Sequence, residues 1–289
     1  MTAPLISAVL GSYNRRRFLA RTVESLRREL SGFAHEIIVV DGGSTDGALR
    51  WLTRQRDVLT IIQHNRGTWR GVQLPRRSWG YFMNLGFRCA SGRHVLMVSD
   101  DCLLVPGGVP AALARFEALE AEGRRIGAMA FYWRDTFRRR EYVVGLTFGR
   151  HIFVNHGLFQ RDALADVGYC DEEHYAFYHA DGDLCLRMRE RGWEVTDAPD
   201  SYVEHFPHAT REVRRDNLAR AHADWDAYRT RWAHLLENDP FEGGALIKAF
   251  DDPHRTALRF PPYDVASLVL RRAASRMRKA FDRGARHHA

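Results

Sequence analysis

The chain has 289 residues, 45% apolar and 27% charged, with a formal net charge of +7. That length and composition suit one large domain, or one domain with an appendage, and exclude a disordered chain. No apolar run reaches membrane-spanning length, and six of the seven net charges fall in the last nineteen residues, "RRAASRMRKAFDRGARHHA", so basicity belongs to that tail and does not mark the whole chain as a nucleic-acid binder.

The first half alternates strand-like and helix-like segments. "ISAVLGS" reads as a buried strand. "NRRRFLARTVESLRREL" then sets Phe18, Leu19, Val23, Leu26 and Leu30 at helical spacing, with Asn14 as its expected cap. "HEIIVVDGG" is a second strand and "STDGALRWLTRQ" a second helix, with Ser44 or Asp46 available to cap it. "VLTIIQH" is a third strand. "SWGYFMNLGFRCASG" is a helix that stops near Gly92, and "HVLMVSDD" is a fourth strand. Such βα alternation implies an α/β fold with a mostly parallel, doubly covered sheet, in which ligands sit beyond the carboxyl ends of the strands. Gly11, Ser12 and Tyr13 fall at one such end, Asp41, Gly42 and Gly43 at another, and Ser99, Asp100 and Asp101 at a third.

Beyond Val109 the pattern loosens. "PAALARFEALEAEG" is a helix. "IGAMAFYWR" and "EYVVGLTFG" alternate like strands and are expected to pair across "DTFRRR". Asp181 and Asp183 stand at a helix start that ends near Gly192, where one of them suits a cap. Residues 211–232 read as one charged helix and residues 237–263 as a loop or linker. The cysteines Cys89, Cys102, Cys170 and Cys185 form no CxxC pair, which fits a reducing cytoplasm. The first residues have no basic region ahead of their apolar stretch, so no signal peptide is expected.

Two adjacent carboxylates at the end of a buried strand repel each other and resist desolvation unless a cation compensates. A hard cation, Mn²⁺ or Mg²⁺, takes oxygen ligands from one or two carboxylates and from substrate phosphates. One of Asp100 and Asp101 could then hold the metal while the other accepts from a ribose hydroxyl. Cys102 is expected to be a buried small residue, because successive strand side chains face opposite ways.

In order and spacing, "AVLGSYNRRRFLARTVESL", "EIIVVDGGSTDG", "MNLGFRCASGRHVLMVSDDCLLVPG", "GYCDE", "ADGDLCLRMRERGWEV" and "VEH" resemble the inverting glycosyltransferase family 2, over residues 6–205. The resemblance implies the GT-A fold, with a nucleotide-sugar-binding half over residues 1–108, an acceptor-binding half over 109–208, and a helical extension with a basic tail over 209–289. It implies a nucleotide-diphosphate sugar donor, with a UDP-sugar favoured, a hydroxyl acceptor such as a glycan or lipid-linked group, and single displacement with inversion. Ser12, Tyr13 and Asn14 match the loop that holds the nucleotide base, and Asp41 the acidic residue that accepts from the base ring. The family's Asp-x-Asp motif reads Ser99, Asp100, Asp101 here, which assigns Asp101 to the metal and Asp100 to the ribose; Ser99 departs from the pattern. Asp181 matches the general base, although the glutamate that normally precedes it is Ala180. Asp183 is left to cap the helix or bind acceptor. His205 matches a position that supplies a further metal ligand. Arg77 and Arg66 are candidates for base or diphosphate contacts, and Trp69 and Trp79 for stacking.

Two other readings use the same residues. A sugar-nucleotide nucleotidyltransferase would want a glycine-rich triphosphate loop after the first strand, and "GSYNRRR" lacks the glycines. A non-catalytic nucleotide- or nucleic-acid-binding scaffold would account for Ser99, Ala180 and the tail, but not for four retained aspartates; no nucleic acid is expected. The tail itself, "VASLVLRRAASRMRKAFDRGARHH", has the spacing of a basic amphipathic helix and is expected to touch an anionic membrane surface peripherally.

Overall fold

The computed structural model describes residues 3–66, 68–135, 141–206 and 211–249. The basic tail lies outside the described residues. In chain order the elements are β1 (Ile6–Ser12), α1 (Arg16–Leu30), β2 (His35–Asp41), α2 (Ala48–Leu52), β3 (Val58–Ile62), β4 (Thr68–Trp69), β5 (Val72–Gln73), α3 (Trp79–Cys89), β6 (His94–Met97), β7 (Cys102–Leu104) and α4 (Gly108–Ala121). They continue with β8 (Ile126–Asp135), β9 (Tyr142–Leu146), a 3-10 turn (Phe148–Arg150), β10 (Gly157–Gln160), α5 (Arg161–Asp166), α6 (Ala180–Glu190), β11 (Glu194–His205), α7 (Arg211–Leu218), α8 (Ala221–Arg231), α9 (Ala233–Asn238) and β12 (Gly244–Lys248).

The expected parallel half is present. β3, β2, β1 and β6 lie side by side, all parallel. The apolar stripe of α1 (Phe18, Leu19, Val23, Leu26 and Leu30) is buried as its spacing requires. Gly86 lets α3 lie close on the sheet, because a Cβ there would come within 2.4 Å of Val9 Cγ1. Pairing brings Ser12 opposite Asp41, and β6 ends level with Val9, so residues 98–101 run on past the sheet beside Ser12. One rim therefore collects three strand ends.

The second half is mixed rather than parallel. β10 runs antiparallel to both β6 and β8, and β9 antiparallel to β8 and β12. The expected pairing of β8 with β9 is present at Trp133 and Val143. β11 pairs parallel with β8 and antiparallel with β7, where His205 stands opposite Cys102.

Asn14 does not cap α1. The first helical amide, of Arg16, donates instead to Asp46 Oδ2 at 2.8 Å, while Asp46 Oδ1 accepts from the Ala48 amide at the start of α2. One carboxylate thus serves two helix starts. The charged helix expected over 211–232 is two helices, α7 and α8. Residues 237–263, expected as a loop, contain β12. Its short apolar run is hidden in sequence by Gly, Pro and Asp on either side. Tyr228 and Trp232 are buried with Phe148, Tyr175, Ala180 and Leu186. These contacts tie α8 and the residue after it to the elements before residue 208. Among the described residues no helix is long and apolar enough to cross a membrane.

His94 opens β6 with no exposure and with neither ring nitrogen hydrogen-bonded, its ring edge-on to Phe116 at 4.7 Å. Burial pushes it down to about 4. Because the folded value lies below the unfolded one, stability is full above about pH 6.5 and declines as pH falls toward 4, where the unfolded chain binds a proton that the folded chain refuses. His94→Leu should remove the unpaired nitrogens, raise the unfolding free energy by about 1–3 kcal/mol at pH 7 and flatten this acid decline. Urea titrations of both proteins between pH 4 and 7 measure it, and an unchanged pH slope would reject the assignment.

Candidate active site

The rim opens into a cavity of about 220 Å³. Ser12, Tyr13, Arg77, Ser99 and Asp100 line it, together with Arg15, Arg66, Arg76, Trp79 and Asn217. The Arg66 guanidinium lies over the Tyr13 ring at 5.3 Å, and that of Arg77 over Tyr81 at 5.2 Å. Arg66 and Arg76 both reach Asp216 of α7, at 2.7 and 3.1 Å. Burial of Arg76, with the neighbouring Arg66 charge added, lowers its affinity for a proton. The cavity is thus rich in cations, as an anionic ligand requires.

Asp41 and Asn14 do not line this cavity. Asp41 is buried with its carboxylate engaged by its own loop: Oδ1 accepts from the Gly43 and Ser44 amides at 2.9 and 2.7 Å, and Oδ2 from Ser44 Oγ at 2.8 Å. Asn14 adopts a φ of 52° and ties the same loop down, accepting from the Thr45 amide at 2.7 Å and donating its own amide to Ser44 Oγ. These two residues shape the loop whose Gly42 lines the cavity. Trp69's side chain lies outside the described residues.

Behind the rim, Arg15 answers the repulsion between the paired carboxylates. Its Nη1 donates to Asp100 Oδ1 at 2.8 Å and to Asp101 Oδ2 at 2.9 Å. His205, at the end of β11, sits with Nε2 3.4 Å from Asp101 Oδ1 and Nδ1 3.0 Å from Asp135 Oδ1. Burial pushes Asp101 up, but Arg15 and His205 together outweigh it and hold the carboxyl below its usual range. Burial and the neighbouring Asp101 charge push Asp100 up, against Arg15. His205 is raised to about 9, since its two carboxylate neighbours overcome burial.

The pair fits a hard divalent cation. Asp100 Oδ2 and Ser12 Oγ are buried without a hydrogen-bond partner, and Asp101 Oδ1 has only the His205 ring at 3.4 Å, which a packed structural site would not leave. A carboxylate oxygen of Asp101, Cys102 Sγ and a ring nitrogen of His205 lie within 4.8 Å of one another. Strand alternation does not separate Cys102 from Asp101, because β7 begins only at Cys102 and Asp101 belongs to the preceding turn. Cys102 is still buried, 3.8 Å from His156, and burial pushes its thiol up. Asp101 and His205 would hold the metal, with Asp100 beside it.

Asp181 stands in the first turn of α6. Its Oδ2 accepts from Asn155 Nδ2 at 2.7 Å and its Oδ1 from the Gly182 amide at 2.9 Å. Burial raises its carboxyl to about 6. Asp181 opens onto a second cavity, of about 210 Å³, while Asn155 lines the first. Asn155 therefore joins the two. Asp183 neither caps α6 nor meets a cavity. It is fully buried, accepting from Arg187 Nε at 2.7 Å and from Tyr175 Oη and Trp232 Nε1 at 3.1 Å each. Ala180, where the family pattern has glutamate, packs in the apolar cluster of Tyr228 and Trp232, a place hostile to a charge.

Sequence reasoning did not single out Arg15, Asp135, Asn155, Arg76, Asp216 or Asn217. Arg15 is one of three consecutive arginines, and the others meet the site only through tertiary contacts. Asp224 was also hidden: from α8 it accepts the amides of Ala176, Phe177 and Tyr178 at 2.8–2.9 Å. The signal for it was the spacing of Asp224, Tyr228 and Trp232 along one helix face.

The sequence pattern of "Glycosyl transferase family 2" matches residues 7–166, more than half of the chain. "Uncharacterized protein y4gI" of Sinorhizobium fredii (strain NBRC 101917 / NGR234) is 24% identical over 262 residues, 79% of this chain and 28% of that protein. "Uncharacterized glycosyltransferase alr2836" of Nostoc sp. (strain PCC 7120 / SAG 25.82 / UTEX 2576) is 27% identical over 119 residues, 41% of this chain and 34% of its own. The chain thus spans about a third or less of the length of these relatives. Among solved structures, the mannosyltransferase PcManGT from Pyrobaculum calidifontis, in complex with GDP-Man and Mn²⁺, superposes with a TM-score of 0.55 at 18% identity, covering 80% of this chain and 65% of that one. S. aureus TarS 1-349 in complex with UDP-GlcNAc gives a TM-score of 0.51 at 15% identity, covering 72% and 60%. The fold is the GT-A fold that the sequence resemblance implied. With its parallel strands, rim and carboxylate pair all inside the matched region, the chain belongs to glycosyl transferase family 2.

Proposed function

We propose that the chain is a divalent-cation-dependent glycosyltransferase that moves a sugar from a nucleoside diphosphate to a hydroxyl acceptor with inversion. The observation that carries this reading is the pair of cavities joined at Asn155. One is cationic and reaches the paired carboxylates through Asp100; the other is lined by the half-buried carboxylate of Asp181, which Asn155 holds.

In this reading Tyr13 and the loop shaped by Asp41 and Asn14 border the base, and Asp100 accepts from the ribose. Arg66, Arg76 and Arg77 face the diphosphate. Asp101 and His205 would hold a divalent cation, which would supply compensation for negative charge on the departing phosphate. Asp181 removes the acceptor's hydroxyl proton as the oxygen attacks the anomeric carbon, and the bond from that carbon to the phosphate oxygen breaks on the opposite side. Asn155 fixes one Asp181 oxygen and so aims the other lone pairs. With its carboxyl at about 6, Asp181 is a base at neutral pH, so transfer should rise with pH through about 6 and level off above it. PcManGT with GDP-Man and Mn²⁺ and TarS with UDP-GlcNAc support a nucleotide-sugar donor; the family resemblance favours a UDP-sugar.

Nucleoside diphosphate is expected to bind at least about tenfold more tightly with Mn²⁺ or Mg²⁺ than in EDTA, a difference of about 1.4 kcal/mol. Asp101→Ala should erase that difference. Titration calorimetry with UDP and GDP measures both, and equal affinity with and without metal would sink the metal assignment.

A further inference from the structure

The cavity at Asp181 has a chemical character that the donor side lacks. Its walls come largely from residues beyond the family match: His179, Trp225, Tyr228 and Glu242. The His179 ring stacks on Tyr228 at 5.0 Å and 26°, and lies 5.2 Å from Trp225. His179 holds a φ of 66°, a left-handed conformation that disfavours a side chain by about 1–2 kcal/mol. The amides of residues 176–178, pinned by Asp224, hold it there. Tyr228 Oη and Thr147 Oγ1 share a hydrogen bond at 2.6 Å, so that polar pair is satisfied internally. Asp181 and Glu242 are the charged lining groups, and among the described residues the lining contains neither Lys nor Arg.

We infer that this cavity takes one ring of an uncharged saccharide, stacked against Trp225, with ring hydroxyls donating to Glu242 and Asp181. The inference rests on the glycosyltransferase reading and narrows its acceptor. An aromatic wall suits the apolar face of a pyranose, and carboxylates accept from its hydroxyls. Glu242 Oε1 is paired with Arg229 Nη1 at 3.4 Å outside the lining, so it is the Asp181 carboxylate, with no lining cation beside it, that repels phosphate or uronate groups. Because Trp225 and Glu242 lie outside the matched region, acceptor choice is written in the segment that the family pattern does not cover.

The test uses the full chain saturated with Mn²⁺ and UDP or GDP. Saturation-transfer NMR is recorded with cellobiose, maltose, mannobiose and chitobiose, and with galacturonate and glucose 1-phosphate. At least one neutral disaccharide should bind, and the two anions should not. Trp225→Ala should weaken the neutral ligand at least about tenfold. Trp225→Phe, which keeps a ring, should recover most of that loss, which separates stacking from misfolding. Glu242→Lys should admit galacturonate. The inference is overturned if no neutral saccharide binds, if the anions bind as well, or if Trp225→Ala binds like the parent. Calorimetry of the unaltered protein with UDP or GDP distinguishes the two levels: metal-dependent diphosphate binding without saccharide binding removes only this inference, whereas loss of diphosphate binding removes the donor reading beneath it.

Discussion

Asp181→Asn is expected to lower sugar transfer by at least about 10²-fold while nucleoside diphosphate affinity stays within about twofold. The substitution keeps the side chain's shape and removes only its capacity to take a proton. The donor cavity is lined by Asn155 and not by Asp181, so its walls should be little disturbed. The residual rate should also lose its rise through pH 6, because the group responsible would no longer titrate. Radiolabelled transfer measured from pH 5 to 8, beside calorimetry with UDP or GDP, checks both halves. Transfer at the parental rate would move the base elsewhere. A collapse of diphosphate binding would make Asp181 a structural residue.

Asp183, two residues on, should behave in the opposite way. Asp183→Ala is expected to lower the unfolding free energy by about 3–5 kcal/mol, the usual effect of removing one partner from a buried ion pair. Its carboxylate joins α6 to Arg187, Tyr175 and Trp232, and Arg231 Nε approaches it at 3.3 Å. Arg187 in turn holds the backbone carbonyls of Val167 and Tyr169. Without Asp183 the Arg187 guanidinium remains largely enclosed and uncompensated, and three elements lose their common anchor. Denaturant unfolding followed by far-ultraviolet circular dichroism measures the change. A loss below about 1 kcal/mol would show that the network is dispensable.

The contrast between these neighbours shows what the sequence could and could not convey. Both are aspartates at a helix start, and spacing alone treats them alike. Which one faces a cavity depends on Tyr228 and Trp232, packed against α6 from forty residues and more along the chain. The parallel half was legible because its signals are local: buried runs of period two, helices of period 3.6, and polar residues at strand ends. Arg15 was not, because Arg15, Arg16 and Arg17 are the same letter. Arg15 faces the carboxylates just after Asn14 takes its left-handed turn. The cap of α1 was missed for a related reason. Asp46 supplies it from another loop, so no residue near Asn14 reveals it. In α8, the buried line of Asp224, Tyr228 and Trp232 was masked by the charges of His222, Asp226 and Arg229 around it.

The backbone that Asp224 pins has two tenants. Ala176 and Phe177 border the donor cavity, and the Trp79 amide at the start of α3 donates to the Ala176 carbonyl at 2.9 Å. On the other side, the same α8 residue is followed by Trp225, in the wall of the second cavity. A ligand that fixes α8 from one side therefore also fixes residues 176–178 for the other. Thermodynamic linkage makes such an effect mutual: whatever factor a bound acceptor adds to donor affinity, a bound donor must add to acceptor affinity. If the two cavities hold donor and acceptor as proposed, their occupancy would be a joint property of the molecule, set through the Asp224 carboxylate that holds the amides of residues 176–178.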